Sequence, residues 1–257
     1  VLCIVGYSYF IFKQKDITTP WVAQIIVGED ISNLDSLSLE LNSILKTNDS
    51  ESHLIKIADK GLLELTGNTQ IKVLTATQSL NAINYSFGNL AFKPKGNNEL
   101  FEIKYNGLSI TSRNSEFSIQ ENNNLVSIKV ITNSIEVNSG LNTFRIPKNY
   151  QFNIVGKNEI SIPLNNKSPE YFQKLVENYS ISKDDSELEK IIEISGRNEA
   201  FTLHFLLSKV TPFYREKIIA KLSEISPIQF AETKEKLLLL DQSALDDWWE
   251  LIYISIN

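Results

Sequence analysis

The chain has 257 residues, of which 42% are apolar and 22% charged, so it can bury one large core or two modest ones and is not a disordered polymer. Residues 1–167 hold 15 Lys/Arg against 15 Asp/Glu, while residues 168–257 hold 10 against 16, so the whole net charge of −6 lies in the second part. No basic stripe runs through the sequence, which excludes a nucleic-acid partner and makes a protein with a basic surface the complementary expectation.

The first twelve residues, VLCIVGYSYFIF, form an apolar run without a charge, closed by Lys13, Gln14, Lys15 and Asp16. The run is shorter than the roughly 20 residues that span a bilayer, and the sequence contains no Met. Residues 1–15 are read as the remnant of a membrane anchor or signal-anchor helix; the alternative is a core element of the folded part. No small-x-small site follows the run, which argues against a cleaved signal peptide. Cys3 is the sole cysteine, so no disulfide forms within the chain.

Beyond the break at Thr18, Thr19 and Pro20, WVAQIIV (21–27) predicts a first strand. Short strands are expected near 43–47, 53–57, 62–65 and 70–74. Turn residues separate them at Asn48-Asp49, Asp59 to Gly61 and Gly67-Asn68. His53 has no second ligand at metal-binding spacing and is expected at a surface or rim. From 86 to 155 apolar residues recur at every second position: Phe101/Ile103/Tyr105, Leu108/Ile110, Phe117/Ile119, Val126/Ile128/Val130, Ile135/Val137, Phe144/Ile146 and Phe152/Ile154. That is the period of half-buried strands. Breaks at Asn97-Asn98, Asn106-Gly107, 122–124, Ser139-Gly140 and Lys148-Asn149 carry turn residues, and the strands follow one another every eight or nine residues, as in an antiparallel sandwich or barrel.

The order of these strands resembles the FecR family of bacterial cell-envelope proteins. The likeness is carried by G-x-L-x-F (Gly88, Leu90, Phe92), F-E-I (101–103), S-E-F-S-I (115–119), V-x-I-x-V (Val126, Ile128, Val130) and the segment IEV…LNTFRIPKN (135–149). Residues 39–73 are similar to the family's first half, and the likeness extends over about 22–162. Asn114-Ser115, Asn133-Ser134 and Asn149 stand where the family has Gly-Thr or Gly. Asn tolerates positive φ better than other non-Gly residues, so the turns are expected to survive. The resemblance implies a β domain that passes an envelope signal inward to a sigma-factor system.

After ISIPLNNKSPE the period changes from 2 to 3.6, and Pro163 to Ser168 reads as a short linker. Ser168 is expected to N-cap a helix with Pro169 at its first position, followed by Phe172, Leu175, Val176 and Tyr179 on one face. Ser182 with Asp185 opens the next helix. A third, near 198–210, is apolar nearly all round and belongs in the middle. Thr211-Pro212 and Ser226-Pro227 open two more. The last, from about Asp241, puts Leu245, Trp248, Trp249 and Ile252 on one stripe. Six short helices with tight links predict an antiparallel helical domain.

Candidate chemistry is sparse. His204 on the central helix reads as a core histidine or a buried base. Asp184-Asp185 and Asp246-Asp247 read as helix-start carboxylates, or as a seat for a hard cation. Trp248 and Trp249, with Asp246 and Asp247, are the candidate partner-binding residues, although the helical spacing of the indoles also fits a core. There is no phosphate loop, no G-x-S-x-G and no H-E-x-x-H, and a Ser–His–Asp relay could be assembled only in space.

The sequence therefore predicts an α+β protein of two domains: a FecR-like all-β antiparallel sandwich or barrel (16–162), then an all-α helical domain (168–257). The expected role is a non-enzymatic envelope protein that binds another envelope protein in sigma/anti-sigma-type signalling and needs no cofactor. It would be anchored in the inner membrane by a single pass, with its soluble part in the periplasm. A structural or scaffolding envelope protein is the second reading and a hydrolase the third.

Overall fold

The computed structural model describes residues 21–27, 36–57, 60–77, 79–96, 100–140, 142–227 and 231–256. Residues 1–15, the Asn97-Asn98 turn and Phe230 lie outside the described residues.

The first part is built on two long strands, β5 (Gly61–Ala76) and β6 (Leu80–Pro94), antiparallel over their whole length. Each serves two layers. The first half of β5 pairs with β4 (Glu51–Ile57), and β4 with β1 (Trp21–Val27), which holds β2 (Ser36–Leu39). Its second half pairs with β3 (Ile44–Lys46). The second half of β6 pairs with β9 (Phe117–Asn122), which leads to β10 (Leu125–Val130), β13 (Tyr150–Gly156) and the two-residue strands β14 (Glu159–Ile160) and β15 (Leu164–Asn165). The first half of β6 takes β7 (Leu100–Tyr105), then β8 (Leu108–Ser112), β11 (Ser134–Asn138) and β12 (Thr143–Pro147). Phe92 and Phe101, from the two branches, stack at 4.1 Å between ring centres, so one branch folds over the other. The β6–β7 pair is parallel, because the chain leaves β6 at one layer and re-enters beside its start in the other.

The corner where β5 and β6 change layer is a double irregularity. The register slips between Thr66 and Gln70, opposite Asn89 and Phe87. Gly88 sits at φ +102°, and a Cβ there would lie 2.4 Å from Thr69 Cα and 2.5 Å from the Asn68 carbonyl. Thr69, wholly buried, donates its hydroxyl to the Thr66 carbonyl (2.6 Å) and accepts from Asn89 N–H (2.7 Å). Gly88 N–H donates to Glu121 Oε2 (2.7 Å), and the Tyr85 hydroxyl donates to the Gly88 carbonyl (2.7 Å). Strands that switch layers at bulges make corners of this kind. Gly67-Asn68, expected to be a turn between two strands, is instead this bulge inside one long strand.

The remaining turns follow the Asn reading. Asn106, Asn123, Asn124, Asn133, Asn149 and Asn158 all have positive φ; of the three Asn residues placed where the resembled family has Gly, Asn133 and Asn149 are among them and Asn114 is not. Alternation is carried into burial: Ile103, Ile110, Phe117, Ile128, Val130, Ile135 and Val137 are fully buried. His53 departs from expectation. It shares the inward face of β4 with Ile55 and Ile57 and is 4% exposed, because period 2 puts residues 53, 55 and 57 on one side.

The second part comprises α1 (Glu170–Ser182), α2 (Asp185–Ile194), a 3-10 turn (Arg197–Glu199), α3 (Ala200–Leu206), α4 (Pro212–Ile225), α5 (Ala231–Leu238) and α6 (Gln242–Ile256). The fold is thus a large, mostly antiparallel β assembly followed by helices. Ser168 does not cap α1; its hydroxyl turns away to donate to the buried Glu199 carboxylate (2.7 Å), and Pro169 stands at the cap. Asp184, rather than Ser182, caps α2 by accepting from Ser186 N–H (2.8 Å), and this bond holds its carboxyl below the ordinary value. Arg215 of α4 ties three carbonyls at the ends of neighbouring segments, those of Leu207 (3.1 Å), Val210 (3.4 Å) and Leu238. A cation among exposed carbonyls opposes the negative end of a helix.

The segment read as a linker is packed. Ile162, Pro163, Leu164 and Asn165 are buried, Leu164 and Asn165 pair with β13, and the Pro163 carbonyl accepts from Thr202 Oγ1 of α3 (2.7 Å).

Candidate functional site

The helices meet the β part along one edge. β12 is the last strand of its branch; α3 lies against it, and α6 reaches it through Trp249. Phe144 packs on Phe205 at 4.8 Å between ring centres, and the Tyr150 ring meets Phe201 at 5.6 Å. The Tyr150 hydroxyl donates to the Asn198 carbonyl and accepts from Phe201 N–H (3.2 Å). Burial pushes that phenol well above its ordinary value. Trp249 Nε1–H donates to the Arg145 carbonyl (3.1 Å). The Arg145 guanidinium lies 3.9 Å from the Trp249 ring centre and forms an ion pair of 2.6 Å with Glu250.

Between this edge and the helices is a cleft of about 610 Å³. Its apolar walls come from Phe144, Phe201, Phe205, Leu207, Leu245 and Trp249, and its polar groups from Glu136, Arg145, His204, Ser208 and Asp246. Such a mixture of apolar walls and few polar groups is the usual make-up of a binding site.

The four residues singled out from sequence fall on α6 but divide sharply. Trp248 and Trp249 are buried, 0% and 3% exposed. Trp248 donates its indole N–H to the Ser226 carbonyl (3.2 Å), and Trp249 serves the Arg145 contact, so neither presents an exposed anchor. The reason is spacing: with Ala244, Leu245 and Ile252 they form the one apolar stripe α6 has to bury. Asp246 and Asp247 are exposed on the opposite side; Asp246 lines the cleft and accepts from Gln242 Nε2 (2.9 Å). Among the described residues no three His, Cys, Asp or Glu side chains converge as a metal seat.

His204, Ser208 and Asp246 share the cleft, where a hydrolytic relay could be sought. Their bonds lead elsewhere. His204 Nε2 is 3.1 Å from the Leu245 carbonyl and so carries the proton, while the Ser208 hydroxyl donates to the Phe205 carbonyl (3.2 Å). Desolvation lowers the His204 pKa to about 4, against the pull of the Leu245 carbonyl and Asp246. An imidazole so held is neutral at pH 7 and a weak base. Arg145 and Glu136 were not singled out from the sequence. Their cross-strand pairing was latent in the alternation of 134–147, but the sequence gives no sign that α6 would return to it.

Residues 43–136 match the FecR protein family. The FecR-like stretch therefore takes in β3 to the first part of β11, corner included, and leaves out β12, most of the cleft and every helix. Two crystal structures of candidate anti-sigma factors from Parabacteroides distasonis ATCC 8503 are similar to the chain. One has 18% identity and a TM-score of 0.40, covering 48% of this chain and 59% of the other. The second has 19% identity and a TM-score of 0.41, covering 49% and 60%. The chain thus spans less than two thirds of the length of either. A comparison with curated proteins finds no match. Among the described residues no helix is long and apolar enough to cross a membrane.

Proposed function

We propose that the chain is a non-enzymatic regulator of cell-envelope signalling that acts by binding another protein. The observation that carries this reading is the FecR match over residues 43–136. The resemblance gives the β part the role of passing an envelope signal toward a sigma-factor system, and the sandwich, with its short Asn turns, is a rigid relay rather than a catalytic frame. Recognition falls to the helical side, where the whole charge excess lies and where Asp246 and Asp247 are exposed. Opposite charge steers association, so the partner has a basic surface and binds more slowly as salt rises. The soluble part stands on the periplasmic side of a single-pass inner-membrane anchor of which residues 1–15 are the remnant.

A transcriptional reporter driven by the cognate sigma factor tests the role. Deleting the gene, or expressing this chain without residues 1–15, is expected to change reporter output under envelope stress; an unchanged output in both cases points to a structural protein. A reporter enzyme fused after Asn257 is expected to be active in the periplasm, and activity confined to the cytoplasm overturns the topology.

A further inference from the structure

The outer edge of β12 is set up to pair with another strand. In an antiparallel pair, residues alternate between bonding to the partner strand and pointing away from it. Ser139 N–H bonds to the Asn142 carbonyl (2.9 Å) and Lys148 N–H to the Asn133 carbonyl (2.6 Å). Between these two bonds the register pairs Ile135 with Ile146 and Val137 with Phe144. Phe144 and Ile146 thus bond inward to β11, while Thr143, Arg145 and Pro147 turn their backbone groups outward. The Trp249 indole confirms the phase by taking the Arg145 carbonyl from the outside. Thr143, Arg145 and Pro147 all line the cleft, so these outward groups face it.

The charges around this edge are uneven. On the face that carries Arg145 and its cross-strand neighbour Glu136, Arg145 is neutralised by Glu250, leaving Glu136 and Asp246 as the acidic groups of the cleft. On the other face Phe144 and Phe205 form an apolar wall, with Lys209 Nζ 5.4 Å and 5.6 Å from their ring centres. An extended segment added to β12 would point successive side chains to these two faces in turn.

We propose that the cleft binds an extended protein segment that pairs with β12 through Thr143 and Arg145, placing basic side chains toward Glu136 and Asp246 and apolar ones toward Phe144 and Phe205. The proposal rests on the protein-binding reading above, adds the β12 edge to the recognition surface of the helical side, and names the chemistry of the partner. Pro147, which has no N–H, and the Trp249 cap limit how far the pairing extends. The bound segment is therefore short.

The probe is a short synthetic peptide alternating Val and Lys, compared with its backbone N-methylated form and with a Val/Glu peptide, all against the full chain. The expected result is saturable binding of the Val/Lys peptide alone, weakened by salt, with slowed amide exchange at Thr143 and Arg145. Thr143→Pro removes one outward donor at the first position of an edge strand, where proline is tolerated. It is expected to weaken binding about tenfold while the melting temperature holds. Glu136→Lys, which leaves the backbone untouched, is expected to lower affinity for Val/Lys and raise it for Val/Glu. Absence of binding, equal binding of the N-methylated peptide, or indifference to both variants overturns the proposal. A sigma-dependent reporter that responds to deletion but not to Thr143→Pro also refutes strand pairing while leaving the signalling role standing; peptide binding without any reporter response does the reverse.

Discussion

The two parts of the molecule are held together by different kinds of bond. In the β part, backbone ladders do most of the work, and side chains intervene chiefly at the corner around Thr69 and Gly88 and at turns. In the helical part the joins between elements are made by side chains reaching for carbonyls: Arg215 to Leu207, Val210 and Leu238, Trp248 to Ser226, His204 to Leu245, and Trp249 across to Arg145. The β part should therefore be most sensitive where the backbone is forced, and the helical part where a single long side chain is lost.

The largest effect tests the first half of that contrast. Gly88→Ala puts a Cβ against Thr69 Cα in a backbone conformation that L side chains rarely adopt. A loss of more than about 3 kcal/mol is expected from denaturant unfolding. Circular dichroism in the far-ultraviolet helix band reads the helical part in the same experiment, whereas tryptophan fluorescence would mix Trp21 of β1 with Trp248 and Trp249 of α6. Because Ile162 to Asn165 are buried and the Pro163 carbonyl is bonded to α3, both parts are expected to unfold together; helical signal surviving loss of the sheet would show two independent units.

Arg215→Met comes next, at about 3 kcal/mol, because it keeps the apolar stem and leaves carbonyls without their cation. Arg215→Lys is expected to recover less than half, since an ammonium cannot fork among three acceptors. Full rescue by Lys would mean that charge near the helix ends, and not the geometry, is what matters.

These two residues also mark how far the sequence could be read. Strands β7 to β13 and the six helices were legible because each keeps its own period over its whole length. The long strand β5 was not, since Gly67-Asn68 has the composition of a turn and only the pairing with β6 makes it a bulge. Ser168 has the residue type of an N-cap, yet a buried carboxylate 31 residues away competes for its hydroxyl and wins. The same limit applied at the site. Asp246 and Asp247 were visible as charges outside an apolar stripe. The cleft was not, because it is made where α6 returns to β12 across about a hundred residues of chain, and nothing local records that meeting.

The pH dependence of stability sharpens the comparison on the helical side. His204 has a folded-state pKa of about 4 against 6.5 for the unfolded chain, so folding favours the neutral ring. Its contribution is whole above pH 6.5, is lost as pH falls from 6.5 toward 4 while the unfolded state takes up the proton first, and changes no further below that. With partial exposure at the cleft, about 2 kcal/mol is expected over this window. His53 in β4 is shifted down as well, chiefly by burial and against the pull of Glu51, so the β part shares the direction. The difference between wild type and His204→Gln, measured by thermal melting from pH 7 to 4, isolates the helical contribution; parallel curves would show that the imidazole is as free to charge as in the unfolded chain.

The smallest effect lies in the turns. Asn149 has φ +68°, its N–H bonds to the Val130 carbonyl (2.9 Å), and its own carbonyl accepts from Asn166 N–H (2.7 Å). Those bonds belong to the backbone, so Asn149→Gly keeps them and relieves the left-handed conformation, with a change expected within about 0.5 kcal/mol of zero. Asn149→Ala keeps the same bonds but has to hold a Cβ at positive φ, at about 1 kcal/mol. Asn133, at φ +53°, also donates its side-chain Nδ2 to the Asn114 carbonyl (2.7 Å), so Asn133→Gly is expected to cost several tenths of a kcal/mol more than Asn149→Gly. If the two glycine variants are equal, that exposed bond contributes nothing and positive φ alone explains asparagine at both turns. A penalty confined to Asn133 would instead show a β-part turn relying on a side chain reaching for a carbonyl, as the joins of the helical part do.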